Sequence, residues 1–128
     1  MPARLKPAAA ADVADALDRV RIGEPAKADL RLLTKHFLAL LEQRAPGKSV
    51  EVRVPPYAAV QCVEGVRHTR GTPPAVIETD AVTWIALATG AMTWSEAVDR
   101  ARVRASGERT DLSAYLPLWT DATHVRPR

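Results

Sequence analysis

A chain of 128 residues suggests one domain around a single core, and its 47% hydrophobic content excludes a disordered polypeptide. The net charge of +3 is mildly basic, the arginines are scattered and the aromatic content is 5%. That combination argues against a nucleic-acid binder, which clusters its charge on one face and supplies aromatic platforms.

The single cysteine, Cys62, excludes an internal disulfide and argues against a secreted disulfide framework. No apolar run approaches the length of a membrane span, so no integral membrane segment is expected. Asp12 and Asp15 interrupt the alanine-rich start before an apolar signal core could form. These features point to a cytoplasmic protein.

In chain order, residues 1–7 read as a loose tail. Ala10, Val13, Leu17 and Val20 then recur at helical spacing, with acids early and Arg19 and Arg21 late, which suits the helix dipole. This predicts a helix from Ala8 to Ile22, ended by Gly23 and Pro25. A second helix is predicted from Pro25 to Arg44. Its stripe of Leu30, Leu33, Phe37, Leu40 and Leu41 is broadened by Leu32 and Leu38, so it needs more than one neighbour. His36 on this helix reads as a surface or edge residue. Pro46 and Gly47 stop it.

The period then changes to two. Val50, Val52 and Val54 face one way, Glu51 and Arg53 the other. Pro55 and Pro56 turn the chain, and Ala58, Val60 and Cys62 continue on one face. A polar connection, GVRHTRGTPP, leads to a third strand, Ala75 to Thr79. Asp80 can cap the next helix, with Val82, Trp84, Ile85 and Leu87 as its apolar residues and Gly90 as its stop. Thr93 and Glu96 have the spacing of a capping box for another helix. Arg102 to Ser106 alternates as a half-buried strand with Val103 and Ala105 on one side. After Gly107, Thr110 or Asp111 caps a short last helix that Pro117 closes, and residues 120–128 read as a second loose tail. Alternating strands and amphipathic helices predict an α+β domain over residues 1–128. Its sheet is mostly antiparallel, covered on one face by helices, with two further helices at the N-terminus.

From Pro74 to Leu118 the order strand, IALATG helix, second helix with Ala97, strand, Gly107–Glu108 and terminal helix resembles the sterol-carrier-protein fold. The segments VRVPPYAAVQCVEG, HTRGTPP and ETDAVTW resemble the small stand-alone bacterial members. A similar block closes the mycothiol-dependent maleylpyruvate isomerases. The chain has Ala101 where eukaryotic carriers often have Gly before the last strand, and it ends in VRPR, without the peroxisomal tripeptide. Both departures count against sterol itself as the ligand.

The resemblance implies an apolar cavity between the sheet and the two short helices. Trp84, Leu87, Ala88, Met92, Trp94 and Ala97 would line it, with Val60, Cys62 and Ile77 as its floor. Met and Trp suit irregular or flat apolar guests, although apolar stripes at helical spacing ordinarily form plain core. In the polar connection Arg67, His68 and Arg70 stand beside Gly71. Arg70 is the candidate for the polar end of an amphipathic ligand, because a guanidinium can fork onto a carboxylate or phosphate. The plain alternative is a solvated loop pairing with Glu64 or Glu78.

His36, His68 and His124 lack metal-ligand spacing, no nucleophile elbow or phosphate loop occurs, and Cys62 falls inside an apolar strand face. The expected function is therefore non-enzymatic binding or transport of an apolar or amphipathic small molecule, without a cofactor. The alternative is an accessory protein whose groove takes a protein partner or supports an enzyme.

Overall fold

The computed structural model describes residues 5–65, 75–107 and 110–119. Helix α1 (Ala10–Arg21) buries Val13, Ala16 and Leu17 against α2 (Lys27–Arg44). Both helices start two residues after the expected positions. Ala10 is exposed and Val20 half-buried, so the buried stripe of α1 is narrower than its spacing suggests. At the start of α2 the Asp29 carboxylate accepts the Ala26 N–H at 2.9 Å, half of a capping box, since Ala26 has no side-chain acceptor to return the bond. Helix α2 packs against α1, α3 (Ala81–Thr89) and the sheet, which accounts for its wide apolar surface. Leu5, in the stretch expected to be loose, and Ala8, expected to open α1, both pack against the core.

The sheet has the order β2 (Ala58–Cys62), β1 (Val50–Val54), β3 (Ala75–Thr79), β4 (Val103–Ser106). The β1–β2 and β3–β4 pairs are antiparallel, as the alternation predicts, but β1 and β3 run parallel. The register explains the parallel pair. Strand β2 ends with Cys62 beside Val50, and β3 begins with Ala75 on the other side of Val50. The two ends of the crossing from β2 to β3 therefore both lie beside the start of β1. Ser49 fixes both sides of this crossing: its N–H donates to Val63 O at 3.1 Å, and its carbonyl accepts the Ala75 N–H at 3.1 Å. Gly47 lies against the Val63 backbone with φ 151°, where a Cβ would overlap the main chain.

Val50, Cys62 and Ala75 form one row on the helix-covered face; Val52, Val60 and Ile77 form the next. The other face carries Glu51, Arg53, Gln61, Glu78 and Arg104, with Arg53 paired to Glu51. This is the one-sided burial expected of alternating strands. Strand β4 departs from expectation. Val103 is half-buried but Ala105 is exposed: β4 is the edge strand, in contact with the short α4 (Trp94–Asp99).

The predicted caps of α3 and α4 form. Asp80 accepts from Thr83 N at 2.8 Å and Thr83 Oγ1 at 2.9 Å, Gly90 is left-handed at φ 83°, and Thr93 accepts from Glu96 N at 3.1 Å. On α3, Val82 turns outward while Trp84, Ile85 and Leu87 are buried. The expected last helix is one 3₁₀ turn, Ser113–Tyr115, with Asp111 accepting the Ser113 N–H at 2.8 Å. Beyond it, the N–H groups of Leu118 and Trp119 both donate to Ala88 O, at 2.8 and 2.9 Å. Arg44 donates to the carbonyls of Tyr115 and Pro117 at 3.0 and 2.8 Å. The C-terminal segment is thereby bound across α3.

Candidate functional site

The helical layer meets the sheet around Trp84. This indole is 1% exposed, and its N–H donates to the Thr34 carbonyl of α2 at 3.3 Å, the kind of partner a buried indole requires. Val60, Cys62 and Ile77 line the facing sheet, and with Trp84 and Ala88 they belong to one buried cluster that also holds Phe37 and Leu41. Trp94 is half-buried at the edge of this cluster. Leu87 and Ala97 are buried outside it, and Met92 is half-buried outside it. Arg70, together with Arg67, His68 and Gly71, lies outside the described residues.

Side chains occupy the space between the layers: Phe37, Leu33, Leu38, Leu41 and Trp84 are all essentially without solvent contact. Cys62 is fully buried, and burial, with a smaller contribution from Glu42, pushes its thiol up to about 12. The sulfur is thus a neutral packing group and not a nucleophile. Among the described residues, no group of three or more His, Cys, Asp or Glu side chains converges as a metal site.

Two residues of α2 in this region carry information that the sequence reading missed. Thr34 is fully buried, and its hydroxyl has no hydrogen-bond partner among the described residues. A buried orphan hydroxyl costs about 1–3 kcal/mol, so it marks a place where a polar atom would be welcome. His36, expected at the surface, is buried. Its Nδ1 accepts the Ala8 N–H at 2.9 Å, and its ring meets Phe37 and Trp119 edge-on at 5.1 and 6.2 Å. The N-terminal segment and Trp119 cover this side of α2. The signal available in sequence was position: residue 36 falls three after Leu33 and four before Leu40, on the broad stripe.

Among the described residues, a four-stranded mixed sheet with α2 and the short α3–α4 pair on one face, and α1 packed on α2, defines a domain of the sterol-carrier type. A family model described as bacterial SCP ortholog matches residues 26–118, from the start of α2 to the segment bound across α3, and the chain belongs to that family. No curated protein matches it. Among the described residues no helix is long and apolar enough to cross a membrane.

Proposed function

We propose that the protein is a non-enzymatic carrier that takes a lipid-like or other apolar small molecule between the sheet and helices α2 and α3. The family is generally a non-catalytic carrier fold, which favours binding over chemistry. The observation that carries the reading is the orphan hydroxyl of Thr34, the residue whose backbone carbonyl takes the Trp84 indole N–H. A guest whose apolar body displaces the packing around Trp84 would bring a hydroxyl or carbonyl to Thr34 and satisfy it. Entry requires the layer to open. Helix α4 and the segment ending at Trp119 are the elements to move, because the hydrogen bonds from Leu118 and Trp119 to Ala88 are the clasp on α3. Met92, Trp94, Leu87 and Ala97 would then join the lining, with Val60, Cys62 and Ile77 as the floor. Arg70 is assigned to the mouth on its sequence position alone, as the group that reads an acidic head.

The test is native mass spectrometry of protein purified from its own host, followed by lipid extraction and titration with a fatty acyl probe. A copurifying apolar molecule and saturable binding at one site per chain, with a change in Trp fluorescence, are expected. Absence of any saturable binding by the folded protein would sink the proposal. A fatty acid and the matching fatty alcohol, titrated against wild type and Arg70→Ala, separate a head-group reader from a loop-shaping residue. Equal loss for both ligands would remove Arg70 from the site.

A further inference from the structure

Between α2, the N-terminal segment and the Pro55–Pro56 turn lies a cleft of about 710 Å³. Among the described residues four cations line it, Lys6, Lys27, Arg31 and Lys35, and no carboxylate does. Its apolar lining includes Leu32 and Tyr57, both half-buried.

The placement of the cations is unfavourable for the helix by itself. Lys27, Arg31 and Lys35 follow one another at four-residue steps, so they stack along one face over about 12 Å. Like charges at this spacing repel, and cations in the first turn oppose the helix dipole. The acid of that first turn, Asp29, cannot relieve them, because Arg19 holds it in a two-bond fork at 2.8 Å and it also caps Ala26. Among the described residues none of the four cations is in an ion pair. Solvated lysines are common on helices, but these converge on a concave surface with an aromatic ring and a leucine in it.

We propose that this cleft is a second binding site, for a small organic phosphate. Arg31 and the flanking lysines hold the phosphate oxygens, the geometry for which a guanidinium fork is suited. The body of the ligand lies on Leu32 and Tyr57. The site shares no lining residue with the apolar interior and does not depend on that interior binding anything.

The experiment uses the full chain and follows backbone amides by NMR during titration with 1-naphthyl phosphate and, separately, 1-naphthol. Saturable binding of the phosphate is expected, at least about tenfold tighter than naphthol, with shifts confined to residues 5–8, 27–36 and 54–58. Arg31→Ala should weaken it by about tenfold, Arg31→Lys by less, and higher salt should weaken it further. Arg31 is exposed, so the unchanged remainder of the spectrum reports that the variants fold. Equal affinity for phosphate and naphthol, shifts elsewhere, or indifference to Arg31→Ala would each overturn the proposal. Phosphatidylcholine vesicles with and without phosphatidylglycerol form the last arm. A response to the anionic vesicles with none to 1-naphthyl phosphate would overturn the small-molecule site and assign the cations to a lipid surface. Perturbation of the Trp84 indole without shifts in the cleft would support interior binding while overturning this second site.

Discussion

The indole N–H of Trp84 reaches the carbonyl of Thr34 at 3.3 Å, across 50 residues of sequence, while the hydroxyl of the same Thr34 has no partner among the described residues. One residue thus supplies both the tie between α2 and α3 and a local polar defect. Thr34→Val keeps the shape and removes the defect. Stability in urea should stay level or rise by about 1–2 kcal/mol, and affinity for a long-chain alcohol should fall while that for the parent hydrocarbon holds. A clear loss of stability would show that the hydroxyl is satisfied in solution. Trp84→Phe should instead destabilise, by about 0.5–1.5 kcal/mol for the lost hydrogen bond plus the cost of the space left by the smaller ring.

Cys62 should resist modification. With the thiol raised to about 12 and no solvent contact, a bulky maleimide at neutral pH should label native protein far more slowly than urea-unfolded protein. Cys62→Ala should lose on the order of 1 kcal/mol and keep the fold. Rapid stoichiometric labelling of the native state would contradict the burial of β2.

The Arg19–Asp29 pair sets an acid limb to stability. The bonds from Arg19, and then the Ala26 N–H, hold the Asp29 carboxyl below its ordinary value of 3.8. A depressed carboxyl contributes stability that is fully present above the unfolded pKa and lost as pH falls through the folded one. Urea midpoints should therefore be flat for this group above about pH 5 and decline below about pH 4. Asp29→Asn should lower the plateau and flatten the decline relative to wild type. Asp111, also held low by Ser113, leaves a residual acid limb in that variant.

Gly47→Ala should be among the most damaging single-methyl additions. The new Cβ would overlap the Val63 backbone, where β2 ends and Ser49 joins the two sides of the crossing. Overpacking of this kind costs about 1–3 kcal/mol, and the positive φ adds strain. Thermal unfolding of the variant against wild type checks this. A Tm within a degree of wild type would show that the crossing can shift at little cost.

The caps of α3 and α4, the two-residue period of β1 to β3 and the breadth of α2 were legible because each depends on residues within four positions of one another. The candidate site was legible in part. Val60, Cys62, Ile77, Trp84 and Ala88 do gather in one cluster, since each lies on the apolar face of its own element. Leu87 on α3, Ala97 on α4 and Met92 in the bend between the two helices are apolar as well, yet they lie outside that cluster. The rotation of a short helix is set by its neighbours and not by its own stripe.

By itself the sequence determined the order of the elements, the caps of α3 and α4, which faces of β1 to β3 are apolar and that the domain is α+β, because caps, glycine stops and periodicity act locally. Only the tertiary structure decided that β1 and β3 run parallel, since that depends on where Cys62 and Ala75 fall beside Val50. It also decided that His36 is buried, through the return of Ala8 and Trp119 over α2. The orphan hydroxyl of Thr34 and the convergence of Lys6 with the α2 cations belong to the same class. Burial and charge clustering are sums over residues distant in the chain, and no local pattern records them.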